Sequence, residues 1–458
     1  MYKILKSIAY FPIKFVLKRL KKLFPFFNLF YAESFYKWHS KQLSQVPENE
    51  QIFFITRRDF GTFLMLTNYV SCWQQLRGPT CLVVLTVEYE AVQTIAKSIL
   101  PNTRVICHNS LFFQYYIRFF GKKTVQYNTV APTYAKLICE YPNGLIFFEQ
   151  MLSHKTIHKS DYISYFDKNL SLLELKNNPL LQEAYKKIRK SYDCKVHIYH
   201  DYIDLYYNKD LSKPFFPSTP SRQTLLKKLH INGPYVVLNV NCRHYFNGLP
   251  KHIAGRKRIQ HPERYNTLID SLIDKGFFVV LQGREEQPYF RPRAKFIDYS
   301  KNALCSLKND IELFSECSFA VTSKNGPENF STICNTPMLA LNYTELTSMT
   351  PHLKSRFFPK QVRNLDSGKL FTWRELLNAP FYYDIGATGF CERIEYQDLT
   401  EEELLSAVEE FLPLANAPVS AWKKYTQKQQ AFKDALHPAH LDLYQIKSVP
   451  LNCYLTSS

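Results

Sequence analysis

The sequence predicts an α/β protein made of two parallel-sheet domains that face a cleft, preceded by a basic amphipathic helix. Three observations predict it. Short apolar runs alternate with helical stretches through both halves, the pattern of a parallel sheet covered by helices on both faces. A proline-rich break, Lys213-Pro-Phe-Phe-Pro-Ser-Thr-Pro220, separates the two runs of that pattern. Seven of the first 25 residues are Lys or Arg, and no acid precedes Glu33.

The chain of 458 residues, 45% hydrophobic and 21% charged, has core material for two or three domains. An aromatic content of 15% excludes disorder over most of the length. The net charge of +18 points to an anionic partner: nucleic acid, a phospholipid surface or a phosphorylated ligand. The 11 cysteines hold no C-x-x-C, and the closest pair is Cys72 and Cys81. That spacing argues against a zinc knuckle or a disulfide framework and fits scattered thiols in a reducing, cytoplasmic compartment.

At the amino terminus, Ile13, Val16, Leu17, Leu20, Leu23 and Phe24 share one helical face, and Lys14, Lys18, Lys21 and Lys22 the opposite one. Such a helix lies in an anionic membrane interface with its lysines toward the headgroups, or packs on its own domain with a solvated basic face. Phe26, Phe27, Phe30 and Tyr31 follow and would deepen a membrane contact. The cations interrupt every apolar run, so neither a cleaved signal nor a spanning helix is predicted. The expected location is peripheral, at the inner face of the membrane.

The first domain reads as strands at Gln51–Thr56, Thr80–Thr86, Thr103–Cys107 and Gly144–Phe148, with a helical segment to Cys72 and a helix over Tyr89–Leu100. Residues 150–215 are polar and weakly periodic. After the break, strands are predicted at Tyr235–Val240, Phe277–Gln282, Phe296–Asp298, Phe319–Thr322 and Met338–Asn342. Helices are predicted at Pro262–Lys275, stopped by Gly276, at Leu307–Glu316 and at Glu328–Cys334. Thr400-Glu-Glu-Glu403 reads as a capping box opening a helix to Phe411, which Pro413 stops. A last helix is predicted over Ala421–Ala435. The resulting domains are 1–25, 26–216, 221–412 and a helical extension, 413–458.

Several chemistries are excluded. The chain has no P-loop, no G-x-G-x-x-G, no H-E-x-x-H and no G-x-S-x-G. It also has no Asp-x-Asp, the carboxylate pair that would hold a divalent ion on a diphosphate. What remains is a set of residues at the carboxyl ends of second-half strands, where ligands of such sheets bind. Arg243 closes Val240-Asn-Cys-Arg243, and its guanidinium suits a phosphate. Arg258 lies in the basic loop Ala254-Gly-Arg-Lys-Arg-Ile259. Gly283 follows a strand in Gln282-Gly283-Arg284. Asn325, Gly326 and Pro327 form a loop before a helix, whose backbone N–H groups would face an anion.

Residues from about 235 to 412 resemble the donor half of bacterial glycosyltransferases of the GT-B architecture, found among surface-polysaccharide genes. The resemblance rests on Val240–Arg243, Arg258, Gly283, Phe296-Ile-Asp298-Tyr-Ser300, Asp310 and the Gly326-Pro327 loop. It continues through Pro337, Asn342, Phe358-Pro-Lys360 and the closing run from Ile394 to Glu403. The first motif is also similar to the His-x-Arg of fucosyltransferases, with Asn241 in the histidine's place. The family usually has Ser where this chain has Asn325. The resemblance implies two Rossmann-like domains and a nucleotide-sugar donor held by Arg243, Arg258, Gly283, Asn325, Gly326, Pro327 and Asn342. It also implies a glycan, lipid or protein acceptor, transfer without a bound metal, and no cofactor. The leaving diphosphate would then be stabilised by cations and backbone N–H groups.

Inverting transfer needs a base for the acceptor hydroxyl. Asp59, just after the first strand, is the candidate, with Glu88 and Glu149 as alternatives; as a helix N-cap Asp59 would be purely structural. A basic adaptor binding membrane or nucleic acid would explain the charge without the strand-end residues, and nucleic acid is not the expected partner. A nucleotide-sugar epimerase, also with two α/β lobes, is the other rival.

Overall fold

The computed structural model describes residues 24–55, 64, 67, 70–71, 73–74, 78–84, 100, 103–108, 110–120, 133, 136–137, 140–141, 145–147, 220–240, 260–283, 289–323, 325–343, 352–378, 394–435 and 449–457. The helix expected over 13–24, all but its last residue, lies outside them, as do 85–99 and 150–215. The chain divides into two compact units, each a mixed α/β body with a parallel sheet.

The first unit holds strands β1 (Gln51–Ile55), β2 (Thr80–Val84), β3 (Arg104–Cys107) and β4 (Leu145–Phe147) in the order β3-β2-β1-β4, all parallel. The sequence placed all four within two residues at either end. β2 is buried along its whole length, as expected of a Val- and Leu-rich strand covered on both faces. Helix α1 (Phe24–Leu43) extends well past the helix read from the sequence, and α2 (Leu111–Phe120) was not foreseen. Both are aromatic-rich, and their contacts are ring on ring. Tyr31 and Phe35, four apart on α1, stack on Tyr116 and Phe113 of α2 at 4.1 and 4.8 Å.

His39 continues that face of α1 and is fully buried. Its Nδ1–H donates to the Phe35 carbonyl at 2.8 Å, and Nε2 has no hydrogen-bond partner. Phe35, Trp38 and His108 surround it. Burial pushes its pKa down to about 3, and burial likewise lowers that of His108 to about 4.

The second unit is built on a seven-stranded parallel sheet. Its strands are β5 (Tyr235–Asn239), β6 (Phe278–Leu281), β7 (Phe296–Asp298), β8 (Phe319–Thr322), β9 (Met338–Tyr343), β10 (Ser355–Pro359) and β13 (Val449–Pro450). Their order is β13-β10-β9-β8-β5-β6-β7. Strands β11 (Gln361–Asn364) and β12 (Ile394–Gln397) form a separate antiparallel pair. The helices are α3 (Pro220–Lys228), α4 (Tyr265–Asp274), α5 (Leu307–Glu316), α6 (Glu328–Ile333), α7 (Trp373–Asn378), α8 (Glu401–Ala415), α9 (Val419–Trp422), α10 (Gln427–Asp434) and α11 (Asn452–Ser457). β5, β8, β9 and β10 are buried at every residue. Leu404, Ala407, Val408, Phe411 and Ala415 give α8 an apolar stripe, on which Phe411 meets Phe319 at 5.4 Å and Trp422 at 5.7 Å.

Three expectations are corrected. Pro413 does not stop α8, which runs on to Ala415. The bond it cannot make, to the Glu409 carbonyl, falls on an exposed last turn that water reaches. The helix read over Ala421–Ala435 is two helices, because Thr426 starts a new one with its own capping box to Gln429. The helix read from Pro262 opens as a 3₁₀ turn, Pro262–Arg264, before α4. The box at Thr400 is present as predicted: its side chain accepts from the Glu403 N–H, and the Glu403 carboxylate accepts from the Thr400 N–H at 2.8 Å.

Candidate functional site

In each sheet one strand has neighbours that the chain reaches in opposite directions. In the second unit it is β5, flanked by β6 and β8; in the first it is β1, flanked by β2 and β4. A parallel α/β sheet opens a crevice at the carboxyl end of such a switch strand, because the connections leave it to opposite sides.

At the carboxyl end of β5 three amides meet. Asn239 Nδ2 donates to the Gln282 carbonyl at 3.2 Å and to Gln282 Oε1. Asn325 Nδ2 donates to Asn239 Oδ1 and, at 3.1 Å, to Ser323 Oγ. Asn239 and Gln282 are 5% and 3% exposed, so four amide protons are consumed in holding the ends of β5, β6 and β8 together. Gln282 Nε2 takes no part in these bonds. Thr322 Oγ1, at the end of β8, is buried without a hydrogen-bond partner.

Asn325 also accepts the Glu328 N–H at 3.2 Å, while the N–H groups of Asn329 and Phe330 go to the Gly326 and Pro327 carbonyls at 3.2 and 2.9 Å. The turn therefore caps itself. Its first helical N–H groups are occupied, and the acid Glu328 stands in the first turn of a six-residue helix. The N–H groups of Glu328, Asn329 and Phe330 are thus bonded within the turn, and Asn325 joins it to β5. Gly283, after β6, accepts at its carbonyl from Cys305 Sγ at 3.4 Å.

Asn342 lies in β9 with φ 52° and is 2% exposed. Its Nδ2 donates to Tyr265 OH at 3.0 Å and its Oδ1 accepts from the Leu399 N–H at 2.8 Å, so both ends of the amide are engaged within the protein. Tyr265 OH in turn donates to Gln260 Oε1 at 2.6 Å. Beside it Lys360 Nζ sits 2.5 Å from Asp398 Oδ1, a pair only 3% and 4% exposed. Asp398 Oδ2 accepts the His261 N–H at 2.6 Å, and Arg264 donates to the carbonyls of Asp398 and Leu399 at 2.9 and 3.1 Å. Burial pulls the Lys360 pKa below the usual lysine value, against the pull of the Asp398 carboxylate. This clamp fixes Gln260 and His261, the end of the connection that leaves β5.

Arg243 and Arg258 belong to that connection and lie outside the described residues, as do Asp59, Glu88 and Glu149. Chain position still relates two of them to the switch strands. Arg243 comes four residues after Asn239, the last of β5, and Asp59 four residues after Ile55, the last of β1. Among the described residues no three His, Cys, Asp or Glu gather as a metal site, and no helix is long and apolar enough to cross a membrane.

No family model matches the chain, and no curated protein matches it. Among solved structures it is similar to a glycosyl transferase family 9 protein from Veillonella parvula: 11% identity over 81% of this chain and 99% of that one, TM-score 0.43. It is also similar to the E. coli ADP-heptose lipopolysaccharide heptosyltransferase II, at 13% identity over 80% and 100% of the chains, TM-score 0.42. An E. coli heptosyltransferase with ADP aligns at 14% identity over 80% and 99%, TM-score 0.37. At these identities and TM-scores the likenesses establish neither a family nor a chemistry.

Proposed function

We propose that the chain is a metal-independent glycosyltransferase that moves a sugar from a nucleotide-sugar donor to a glycan, lipid or protein acceptor, with residues 26–216 serving the acceptor and 221–412 the donor. The observation that carries the reading is the amide junction of Asn239, Gln282 and Asn325 at the switch point of the second sheet, with the basic connection of Arg243 and Arg258 leaving from the same strand end. A polar, preorganised junction whose strand leads into a basic segment suits a nucleoside diphosphate.

In the transfer, the acceptor hydroxyl attacks the anomeric carbon as the bond from that carbon to the diphosphate breaks. Asp59 takes the hydroxyl proton, and inversion follows from the single displacement. Arg243 and Arg258 bind the departing diphosphate. Gly283 keeps the end of β6 open to the donor, Asn325 with Gly326 and Pro327 sets the far wall, and Gln282 Nε2 donates to it. Asn342 is a positioning residue that acts through Leu399 and Tyr265. The basic residues 1–25 hold the protein at an anionic membrane surface, the inner face of the cytoplasmic membrane.

The test is a panel of nucleotide sugars incubated with the full chain in EDTA, reading release of nucleoside diphosphate and thermal stabilisation. A true donor at 100 times its Kd stabilises by about 2.7 kcal/mol. Release from one donor class with EDTA present is expected. No release and no stabilisation from any donor, or inactivation by EDTA that manganese reverses, overturns the reading.

A further inference from the structure

We infer that the outer face of α2, formed by Leu111, Tyr115 and Arg118 together with Phe30 of α1, is a docking surface for an anionic lipid bilayer. The inner face of α2 is packed: Phe113, Tyr116 and Ile117 are 2%, 3% and 7% exposed. The outer face should then be polar, yet Leu111 and Tyr115 are 72% and 68% exposed. They stand with exposed Arg118 at i, i+4 and i+7, one stripe along the helix. Phe30 is 63% exposed and packs on Tyr31, which stacks on Tyr116 of α2. Three of the six exposed large apolar side chains among the described residues thus gather on two adjoining helices.

Charge selects the occupant. α1 continues directly from the segment with seven cations in 25 residues, and Arg118 adds a cation within the stripe. Leucine and phenylalanine insert below headgroups, tyrosine sits at their level, and arginine extends to the phosphates. A nucleic acid would need several phosphate-binding cations along the stripe, and of Leu111, Tyr115 and Arg118 only Arg118 is one. A second copy would need roughly 800 Å² per partner, far more than these side chains present. The surface adds a contact that residues 1–25 do not supply, and it stands whether or not the protein transfers a sugar.

The experiment uses the full chain and sedimentation with vesicles of mixed phosphatidylcholine and phosphatidylglycerol. Leu111→Ser/Tyr115→Ser changes exposed positions only, so the melting temperature should match that of the parent. Binding should fall about tenfold or more, from the loss of inserted apolar groups. Arg118→Glu should weaken binding to the mixed vesicles and leave binding to pure phosphatidylcholine unchanged. Unaltered vesicle binding by the double variant overturns the proposal, since residues 1–25 are intact in it. So does a double variant that binds vesicles normally but loses self-association, or loses binding to a single-stranded oligonucleotide instead.

Discussion

Replacing Lys360 by Met should destabilise the second unit by about 3 kcal/mol. Lys360 and Asp398 are 3% and 4% exposed and 2.5 Å apart. The substitution fills the space of the lysine stem but leaves Asp398 Oδ1 without a donor in a buried site, with only Oδ2 still served by the His261 N–H. Breaking a buried pair from one side costs about 3–5 kcal/mol. The nearby Arg264 guanidinium offsets part of the orphaned charge, which places the cost at the lower end. For a unit of about 280 residues that is a fall of roughly 5 °C in melting temperature. Calorimetry and urea unfolding of the full chain measure it. Lys360→Met/Asp398→Leu removes both charges and should be less destabilised than Lys360→Met alone, because only one N–H then lacks its acceptor. A single variant within about 0.5 kcal/mol of the parent, or a double variant less stable than the single, would refute the clamp.

Three further outcomes are expected. Asn342→Ala should be less stable than Asn342→Gly by about 1–2 kcal/mol, because φ 52° is left-handed backbone that alanine resists; equal melts would contradict this. His39 binds fewer protons folded than unfolded between its folded value of about 3 and the ordinary 6.5, so stability rises with pH and is lost as pH falls below 6.5. Lowering pH from 7 to 5 should cost the first unit about 2 kcal/mol through this group alone, and His39→Leu should make that limb of the stability–pH curve shallower, leaving the share of His108. Asp59→Asn should lower kcat with little change in donor KM; unchanged turnover would pass the base role to Glu88 or Glu149.

Local signals were legible and distant pairings were not. Leu307–Glu316 was read to the residue, and Thr400 announced its own capping box, because periodicity and caps are written within a few positions. β10 was missed: Arg356 sits in the middle of Ser355–Pro359, where its guanidinium donates to the Trp422 carbonyl at 3.2 Å and lies 5.0 Å from the Trp422 ring. β13 is two residues long and exists only because β10 pairs with it. α1 shows no conventional apolar stripe, since its aromatics stand on exposed and buried faces alike. The candidate site divides the same way. Strand-end position pointed to Gly283 and to the Asn325 loop, but Asn239 finds its partners 43 and 86 positions away, a relation no local pattern carries. Asn342 enters through the resemblance alone, and its amide bonds to Tyr265 and Leu399, 77 and 57 positions away, are equally absent from any local pattern.

The most direct test of the central claim is the effect of Arg243→Ala on donor turnover and on binding of the nucleoside diphosphate. Arg243 follows the switch strand of the second sheet by four residues. The account predicts a parental melt, weakened diphosphate binding and a loss of 10²–10³ in kcat, about 2.7–4 kcal/mol of transition-state stabilisation. Turnover and diphosphate affinity within about twofold of the parent would contradict it.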